Sequence, residues 1–265
     1  MARLEIVSSG VAQFTKQQKL ESRSNVSFVE SNDQDKYVYD PERGLFAVAD
    51  GVGGQLYGAE AAQAACDAFY GELCSDRREL GTVESSLHLA QAGLARIIHA
   101  AATATGGLTT FTGVYRIGDG YLAYLHAGDS ELLMIRDDDV YRITSPQRET
   151  SNGLTNYMGG SALAMASLSI ESGLADMYQT EWGLLEMRSG DRVVLATDGV
   201  TDATHNYHPN NEWWLRQSRR HMGAQALADF LVCESPRIDD SEAIVIDFGE
   251  LPRTGSLLST ESDIG

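Results

Sequence analysis

Short runs of apolar and β-branched residues, bounded by Gly, Asp or Pro, recur along the chain and predict a series of strands. The predicted strands cover 25–29, 36–39, 45–49, 111–117, 121–127, 131–135, 191–196 and 243–248. The sequence "GDG" at 118–120 separates two of these runs and is typical of a hairpin turn. A second tight connection is predicted in "IRDDDVY", so the middle of the chain is expected to form an antiparallel meander.

Three other segments have the composition or the periodicity of helices. The segment 58–74 is rich in Ala, and apolar residues recur at spacings of three and four within 83–103. A third helix is predicted at about 223–233. Because the strands come in runs and the helices are segregated from them, the pattern favours an α+β fold, with sheets packed between helices, over a doubly wound parallel sheet.

The length of 265 residues and the hydrophobic content of 43% are sufficient for one large domain with a buried core. We expect a single domain over 1–249. Within it, 144–180 carries Gly, Ser, Asn and Met without a clear period and is a candidate flap. The segment 250–265 is expected to be a flexible C-terminal tail.

The 38 acidic residues outnumber the 20 basic ones, which gives a formal net charge of −18. This surplus repels a phosphate backbone and argues against a nucleic-acid partner, whereas it suits cations or basic peptides. Three cysteines are too few for a disulfide framework, and a reducing cytoplasm is the expected compartment. The first residues lack the plan of a signal peptide, and 159–170 is too short and too rich in Ser to span a bilayer.

Aspartates follow or precede several of the predicted strands. The sequences "FAVADG" and "VVLATDG" each run from apolar residues into Asp and then Gly. Five aspartates stand at or between strand ends: Asp35, Asp50, Asp129, Asp198 and Asp239. One such residue is most simply a turn or a cap, but adjacent strands can bring several such ends together.

Clustered carboxylates predict a bound cation. At a separation of 4 Å each pair repels by roughly 1–4 kcal/mol, so a cluster needs a positive ion or must take up protons. Oxygen ligands without Cys or His suit Mg²⁺ or Mn²⁺ better than zinc. The glycines in "DGVGG" allow a sharp turn beside Asp50, so that the backbone carbonyl of Gly51 can also reach a metal.

Six motifs in a fixed order give the chain a family resemblance over about 25–248. They are "NDQD", "FAVADGVGGQLYGAEAA", "LTTFTGVYRI", "AGDSELLMI", "DRVVLATDGVTD" and "DDSEAIVIDF". In this order they resemble the metal-dependent protein serine/threonine phosphatases of the phosphatase 2C-type (PPM) family, in its bacterial form. The resemblance implies a four-layer α-β-β-α sandwich of two antiparallel sheets flanked by helix pairs, with a metal site at one end.

The resemblance also implies roles for individual residues. Asp50 would bridge two Mg²⁺ or Mn²⁺ ions, the carbonyl of Gly51 would bind one of them, and Asp198 and Asp239 would be further ligands. Asp35 would hold the water shell of the second ion or touch that ion. Asp129, together with Asp198, would form a third metal site. The catalytic set is thus Asp35, Asp50, Asp198 and Asp239.

The implied activity is hydrolysis of phosphoserine or phosphothreonine in a protein or peptide substrate by a metal-activated water. The protein is expected to be a cytoplasmic monomer that acts in signalling and opposes a serine/threonine kinase. Neither a nucleic acid nor a membrane is expected as a partner. These are expectations from the resemblance and from the charge of the chain.

The chain departs from the family pattern on the phosphate side. Glu30 stands where the family usually has an Arg that grips the substrate phosphate, and a carboxylate there repels the phosphate. Arg23 and Arg43 lie near in sequence, and whether either replaces that Arg is open. Other departures are Gln34, "LTT" at 108–110 and "GDSE" at 128–131. They motivate a second hypothesis, a phosphatase-fold binding or regulatory protein with weak or no turnover.

Two further features receive structural interpretations. His126 is expected to be a hydrogen-bonded structural histidine, although it lies three residues before Asp129. The "WW" pair at 213–214 is interpreted as helix packing or as part of a peptide-binding surface.

Overall fold

The computed structural model describes residues 3–14, 34–52, 57–74, 84–147, 157–159, 180–201, 211–221, 223–234 and 240–251. For residues 3, 84–90 and 251 the backbone alone is described. The helices within these residues are α1 (Gly58–Cys74), α2 (Glu84–Thr105), α3 (Asn211–Arg220) and α4 (Ala224–Glu234). The strands are β1 (Arg3–Phe14), β2 (Asp35–Asp40), β3 (Leu45–Asp50), β4 (Leu108–Thr109), β5 (Phe111–Ile117), β6 (Tyr121–Ala127), β7 (Glu131–Arg136), β8 (Asp139–Arg142), β9 (Met158–Gly159), β10 (Glu181–Glu186), β11 (Arg192–Ala196) and β12 (Ser241–Leu251).

Ten of these strands form two five-stranded antiparallel sheets. Sheet A has the order β1-β12-β11-β7-β8, and sheet B has the order β10-β6-β5-β3-β2. The two remaining strands, β4 and β9, pair with each other beside sheet B. The strand β3 lies between β2 and β5, so sheet B ends on one side with the β2–β3 hairpin.

Alternation along each strand explains why the sheets stack between helices. In β11, Val193 and Leu195 belong to the apolar cluster between the two sheets, whereas Val194 and Ala196 belong to the cluster under α3 and α4. Successive side chains of a strand point to opposite faces, so one strand supplies both clusters. A third cluster packs α1 and α2 on the outer face of sheet B. The predicted four-layer α-β-β-α sandwich is thereby confirmed.

Several predicted elements match the structure closely. The predictions for 111–117, 121–127 and 58–74 coincide with β5, β6 and α1. The strand predicted at 25–29 lies outside the described residues. The strands β1 and β10 had no counterpart in the prediction.

The candidate flap and the tail are described only in part. Of 144–180, the structure describes 144–147, 157–159 and residue 180, and β9 lies in the second of these pieces. At the C-terminus, β12 continues to Leu251, which pairs with Arg3 of β1, and 252–265 lie outside the described residues. Among the described helices, none has both the length and the apolar composition that crossing a membrane requires.

Candidate metal centre

The β2–β3 hairpin brings two of the predicted aspartates together. Asp35 begins β2, Asp50 ends β3, and the two residues are direct partners in the antiparallel register. Side chains of direct partners lie on the same face of a sheet, so the hairpin places both carboxyl groups side by side. They form the sheet B wall of the candidate site.

The opposite wall comes from sheet A. Asp198 follows the end of β11 and begins a helical turn at 198–201, and Asp240 directly precedes β12. A Cβ atom on Gly199 would lie 1.9 Å from the carbonyl oxygen of Asp240. Only a residue without a side chain allows this approach, so the glycine after Asp198 brings the two acidic segments into contact.

The electrostatics of Asp35 indicate that the two walls face each other. Asp35 is 1% exposed, and its pKa is raised from 3.8 to about 8. Burial is the largest cause, and the charges of Asp198 and Asp240 raise this pKa further. Hydrogen bonds from Thr197 and with Asp50 act in the opposite direction. The carboxyl groups of both sheets therefore interact across the site.

Threonine hydroxyls and backbone groups fix Asp50 in place. Its backbone N–H donates to Oγ1 of Thr110 at 3.0 Å, and its carbonyl accepts from the N–H of Thr110 at 2.8 Å. The hydroxyl of Thr109 donates to the same carbonyl at 2.8 Å. The start of β5 and the strand β4 thus hold the backbone of Asp50 from one side.

Gly51 is held by three neighbouring segments. Its N–H donates to the carbonyl of Gln34 at 3.1 Å, and it forms an isolated bridge with Thr109. A Cβ atom at position 51 would lie 2.4 Å from the carbonyl carbon of Gly58, the first residue of α1. Glycine at position 51 is therefore required by close packing against α1, in addition to any role of its carbonyl.

Asp129 lies in the turn between β6 and β7 and is 7% exposed. The next residue, Ser130, makes a buried hydrogen bond with Thr110, 2.9 Å between the two hydroxyl oxygens. Since Thr110 also accepts from the backbone of Asp50, the turn that carries Asp129 is connected to the sheet B wall through two hydroxyl groups.

Asp239 lies outside the described residues, and its neighbour Asp240 was missed by the sequence reasoning. Asp240 is 5% exposed, and its Oδ2 accepts the backbone N–H of Gln34 at 2.8 Å. The doublet "DD" at 239–240 was the available signal, because either of two consecutive acids before a strand is a candidate for the same site.

Thr197 was also missed. Its buried hydroxyl donates to Oδ2 of Asp35 at 2.8 Å and accepts the backbone N–H of Glu242 at 3.0 Å. A threonine at a strand end has no distinctive sequence signal, so this contact became visible only in the structure.

The composition of the cluster fits a hard divalent cation. Asp35, Asp50, Asp198 and Asp240 offer carboxylate oxygens only, and their mutual repulsion at Asp35 is relieved by a positive charge. Within the described parts of the chain, no three His, Cys, Asp or Glu side chains form a group that could hold a metal ion. Charges affect a pKa over longer distances than a metal–ligand bond. The effect of Asp198 and Asp240 on the pKa of Asp35 is therefore compatible with the lack, among the described residues, of three side chains close enough to bind one ion. A complete ligand set would need groups beyond these side chains, such as Asp239 or the carbonyl of Gly51.

The structure places Arg43 away from the centre. Its guanidinium binds the carboxylate of Asp40 at 2.9 Å, in the turn that joins β2 to β3. Asp40 is five residues from Asp35, which along a strand is about 16 Å. Arg43 therefore does not take the place of the missing Arg, and Glu30 and Arg23 lie outside the described residues.

Lys36, two residues after Gln34, and Glu131 of "GDSE" make contacts that support the structure. The ammonium group of Lys36 donates to the backbone carbonyl of Asp35 at 3.1 Å, which places a cation beside β2. Glu131, the last residue of "GDSE", is fully buried and forms an ion pair with Arg142 of β8. That pair explains how a charged side chain is accommodated in the interior at position 131.

The structural interpretations of His126 and of the tryptophan pair agree with the structure. His126 is fully buried, its Nδ1 lies 2.8 Å from the hydroxyl of Thr112, and burial is the main cause that lowers its pKa to about 4. Trp213 and Trp214 lie in α3, are at most 3% exposed and pack edge to face at 5.2 Å. The pair is therefore part of the packing between α3 and sheet A.

The sequence and the fold of the chain both match known proteins. The family "Protein phosphatase 2C" matches residues 29–232. The serine/threonine protein phosphatase PstP of Mycobacterium tuberculosis is 27% identical over 188 residues. That alignment covers 68% of this chain and 36% of PstP, so the chain spans about a third of the length of the curated relative it matches.

Solved structures share the fold at low sequence identity. The catalytic domain of PstP in complex with two manganese ions has a TM-score of 0.64 and 20% identity, over 94% of this chain and all of that one. The photosystem II phosphatase PBCP has a TM-score of 0.67 and 17% identity, with 92% and 98% of the two chains covered. PppA, described as a key regulatory component of T6SS in Pseudomonas aeruginosa, has a TM-score of 0.61 and 18% identity, with 92% and 99% covered.

Proposed function

The chain belongs to the protein phosphatase 2C family, and from this premise we propose that it hydrolyses phosphoserine and phosphothreonine in proteins in a metal-dependent reaction. The family, with its bacterial relatives, was predicted from the order of the motifs, and the match over 29–232 and the mycobacterial relative confirm it. The activity, the substrates and the partners of this chain are proposals.

One observation carries the proposal. Hydrogen bonds join Thr197, which precedes Asp198, to Asp35, and Asp240 to the backbone of Gln34, so acids of both sheets lie at one end of the sandwich. The pKa of Asp35 rises to about 8, chiefly because this carboxyl is buried, and the charges of Asp198 and Asp240 raise it further. A fold gains no stability from such a concentration of like charge. A site for hard cations explains why the chain maintains it.

We assign the ligands to residues that the motifs indicate. Asp50 and the carbonyl of Gly51, together with Asp198 and Asp239, would hold two Mg²⁺ or Mn²⁺ ions, with Asp35 at the second ion. Asp129 would contribute to a third site with Asp198. When bound, the ions supply Lewis acidity and a water-derived nucleophile at neutral pH. The chain itself positions the carboxylates and excludes solvent from Asp35, so that the site is organised before the substrate arrives.

The proposed substrate is a phosphorylated protein or peptide, and the proposed opposing enzyme is a serine/threonine kinase. The net charge of −18 favours substrates with basic residues around the phosphorylated side chain. All three cysteines are free, in agreement with the proposed cytoplasmic location. A monomeric state remains a prediction.

A turnover assay tests the proposal. Purified protein is given p-nitrophenyl phosphate or a phosphothreonine peptide, with Mn²⁺ or with EDTA, and is compared with Asp50→Asn. We expect turnover only with metal, and a loss of at least about a hundredfold in Asp50→Asn, because this residue would contact both ions. Asp119→Asn is the matched control, since Asp119 is exposed in the turn at the opposite end of β5.

The same assay addresses the alternative of a binding protein with weak or no turnover. Metal binding by calorimetry without hydrolysis of either substrate would favour that alternative. Glu30→Arg then becomes informative, because a guanidinium attracts phosphate where a carboxylate repels it. A lower KM in this variant would identify Glu30 as the cause of weak substrate binding.

A further inference from the structure

The walls of the metal centre belong to different sheets. Asp35 and Asp50 are part of sheet B, whereas Asp198 and Asp240 flank strands of sheet A. In the described residues the two sheets share no strand pairing. The distance between the walls therefore depends on side-chain contacts across the interface, and not on a backbone ladder.

Thr197 makes such a contact. Its hydroxyl accepts the backbone N–H of Glu242 in sheet A at 3.0 Å and donates to Oδ2 of Asp35 in sheet B at 2.8 Å. Because the N–H of Glu242 occupies one lone pair of the hydroxyl, the hydroxyl proton is directed away from it, toward Asp35. The hydrogen bond from Glu242 thus orients the Thr197 hydroxyl so that it donates to the carboxylate oxygen of Asp35.

The backbone of Thr197 is held equally firmly. Its N–H donates to the carbonyl of Glu242 at 3.1 Å, and its carbonyl accepts from the N–H groups of Val200 and Thr201 at 3.0 and 3.1 Å. The side chain is fully buried, and a β-branched residue has few rotamers. The hydroxyl therefore has a fixed position relative to sheet A. Its hydrogen bond fixes the position of the Asp35 carboxylate relative to the same sheet.

We propose that Thr197 is a positioning residue that sets the orientation of the Asp35 carboxylate and the separation of the two walls of the metal centre. The inference rests on the proposed function, because it concerns the site that would hold the ions. A second contact acts in the same direction, since Oδ2 of Asp240 in sheet A accepts the N–H of Gln34 beside β2 at 2.8 Å. The contact of Thr197 differs from that of Asp240, because the Thr197 hydroxyl binds the carboxylate of Asp35 itself, whereas Asp240 binds the backbone beside it.

The test compares Thr197→Val, which keeps the shape and loses the hydroxyl, with Thr197→Ser, which keeps the hydroxyl. Thr144→Val is the matched control, because Thr144 is also buried and its hydroxyl also accepts a backbone N–H, that of Leu132 at 2.9 Å. The readouts are the Mn²⁺ dissociation constant by calorimetry, the melting temperature in EDTA, and kcat and KM for p-nitrophenyl phosphate.

We expect Thr197→Val to raise the Mn²⁺ dissociation constant by about tenfold or more, as observed when hydrogen-bonding partners of metal ligands are removed. At saturating Mn²⁺ its kcat falls while KM changes little. Thr197→Ser restores most of the affinity. Thr144→Val loses a comparable amount of thermal stability but keeps its affinity within about twofold, because the hydroxyl of Thr144 contacts the backbone N–H of Leu132 and not a carboxylate of the metal centre.

Two results would overturn the inference. If Thr197→Val binds Mn²⁺ as tightly as the wild type, or if Thr144→Val weakens binding to the same extent, Thr197 has only a structural role. Should Thr197→Val fail to fold, Thr197→Ala provides the same comparison with less crowding of the Asp35 carboxylate. A wild type that neither binds Mn²⁺ nor turns over phosphate esters would instead reject the proposed function, and the positioning role with it.

Discussion

Asp35 and Asp50 lie directly opposite each other on neighbouring strands, with their side chains on one face of sheet B. Like charges in this arrangement destabilise a sheet. The pKa of Asp35 is raised to about 8, first by burial and further by the charges of Asp198 and Asp240, whereas its hydrogen bond with Asp50 lowers it. The buried acids of the site therefore carry an electrostatic cost in the metal-free protein that a bound cation removes.

We expect Asp50→Asn to raise the melting temperature of the metal-free protein and to abolish the further rise that Mn²⁺ produces. The substitution removes an ionisable group from a cluster of acids in which each pair of charges repels by roughly 1–4 kcal/mol at 4 Å, and the amide still donates a hydrogen bond to Asp35. In the wild type, metal at a hundred times its dissociation constant adds about 2.7 kcal/mol. Differential scanning fluorimetry in EDTA and in Mn²⁺ measures both effects. A lower melting temperature of the variant in EDTA would contradict the electrostatic explanation.

Periodicity alone predicted much of the sandwich. The strands β5 and β6 and the helix α1 agree with their predicted bounds, because each has a strong pattern and ends at Gly or a polar residue. The hairpin at 118–120 was marked by two glycines, and both adopt a positive φ, +54° at Gly118 and +90° at Gly120. In these elements the local sequence favours the same backbone conformation that the folded protein adopts.

The missed strands depend on tertiary packing. In β1, a Cβ atom at Gly10 would lie 2.3 Å from the Cα of Gln225, so the strand is shaped by contact with α4. In β10, a Cβ atom at Gly183 would lie 2.5 Å from the ring of Tyr124. Gly has a low strand propensity, and the sequence does not reveal that a helix or a ring fills the space.

The residues of the candidate site are visible in the sequence only in part, for a similar reason. Aspartates at strand ends are visible in a sequence because acids are unusual beside apolar runs, and this identified Asp35, Asp50 and Asp198 as candidates. Thr110 and Thr197 are ordinary residues beside strand ends until their hydroxyl contacts with Asp50 and Asp35 are seen. Hydrogen-bonding partners of a site depend on three-dimensional geometry that no spacing rule encodes.

Gly199→Ala is expected to damage both the fold and the metal centre. The new Cβ would lie 1.9 Å from the carbonyl oxygen of Asp240 and 2.7 Å from Oγ of Ser241, so Asp198 and Asp240 must move apart. We expect a loss of about 1–3 kcal/mol in the free energy of unfolding, typical of overpacking, together with weaker Mn²⁺ binding. Urea denaturation and calorimetry measure the two quantities.

The control for this substitution is Gly71→Ala. Gly71 is exposed in α1, and no atom lies within 4 Å of its added Cβ. The change should stabilise the helix by roughly 0.5–1 kcal/mol, because Ala is the better helix former. Equal effects of the two substitutions would show that the close approach at Gly199 is not what matters.

Arg192→Lys is expected to destabilise the fold without changing metal affinity. Nε and Nη2 of Arg192 donate to the carboxylate of Asp247 at 2.6 and 3.0 Å, and Nη1 donates to the carbonyls of Ser218 and His221 at 3.1 Å. The guanidinium thus joins β11 and β12 to the end of α3. Lysine cannot reproduce the fork, so we expect a loss of about 1–3 kcal/mol in urea denaturation.

Arg43→Lys is the control for that prediction. The Arg43–Asp40 pair lies at the surface, with the arginine side chain 57% exposed, and exposed pairs contribute about 0–1 kcal/mol. The difference between the two variants in the free energy of unfolding measures how much the forked, largely buried contacts of Arg192 contribute to stability. A cost at Arg43 as large as that at Arg192 would contradict this explanation.

His99 should make the stability of the protein fall as the pH falls. Burial lowers its pKa from 6.5 to about 4, and the neutral ring accepts the N–H of Gly159 through Nδ1 at 3.2 Å. Above pH 6.5 the ring is neutral in both the folded and the unfolded protein. Between pH 6.5 and 4 only the unfolded chain takes up the proton, so the free energy of unfolding falls with decreasing pH and levels off below about 4.

The variant His99→Gln keeps an acceptor for Gly159 but removes the titration. The free energy of unfolding of the wild type, measured relative to this variant, should fall by on the order of 2–3 kcal/mol between pH 7 and 4. The pKa of His126 is also lowered to about 4, but this residue is present in both proteins and its effect cancels in the difference. Urea denaturation at a series of pH values gives the comparison. Parallel curves for the two proteins would show that His99 is protonated equally in the folded and unfolded states, and that burial against β9 does not keep it neutral.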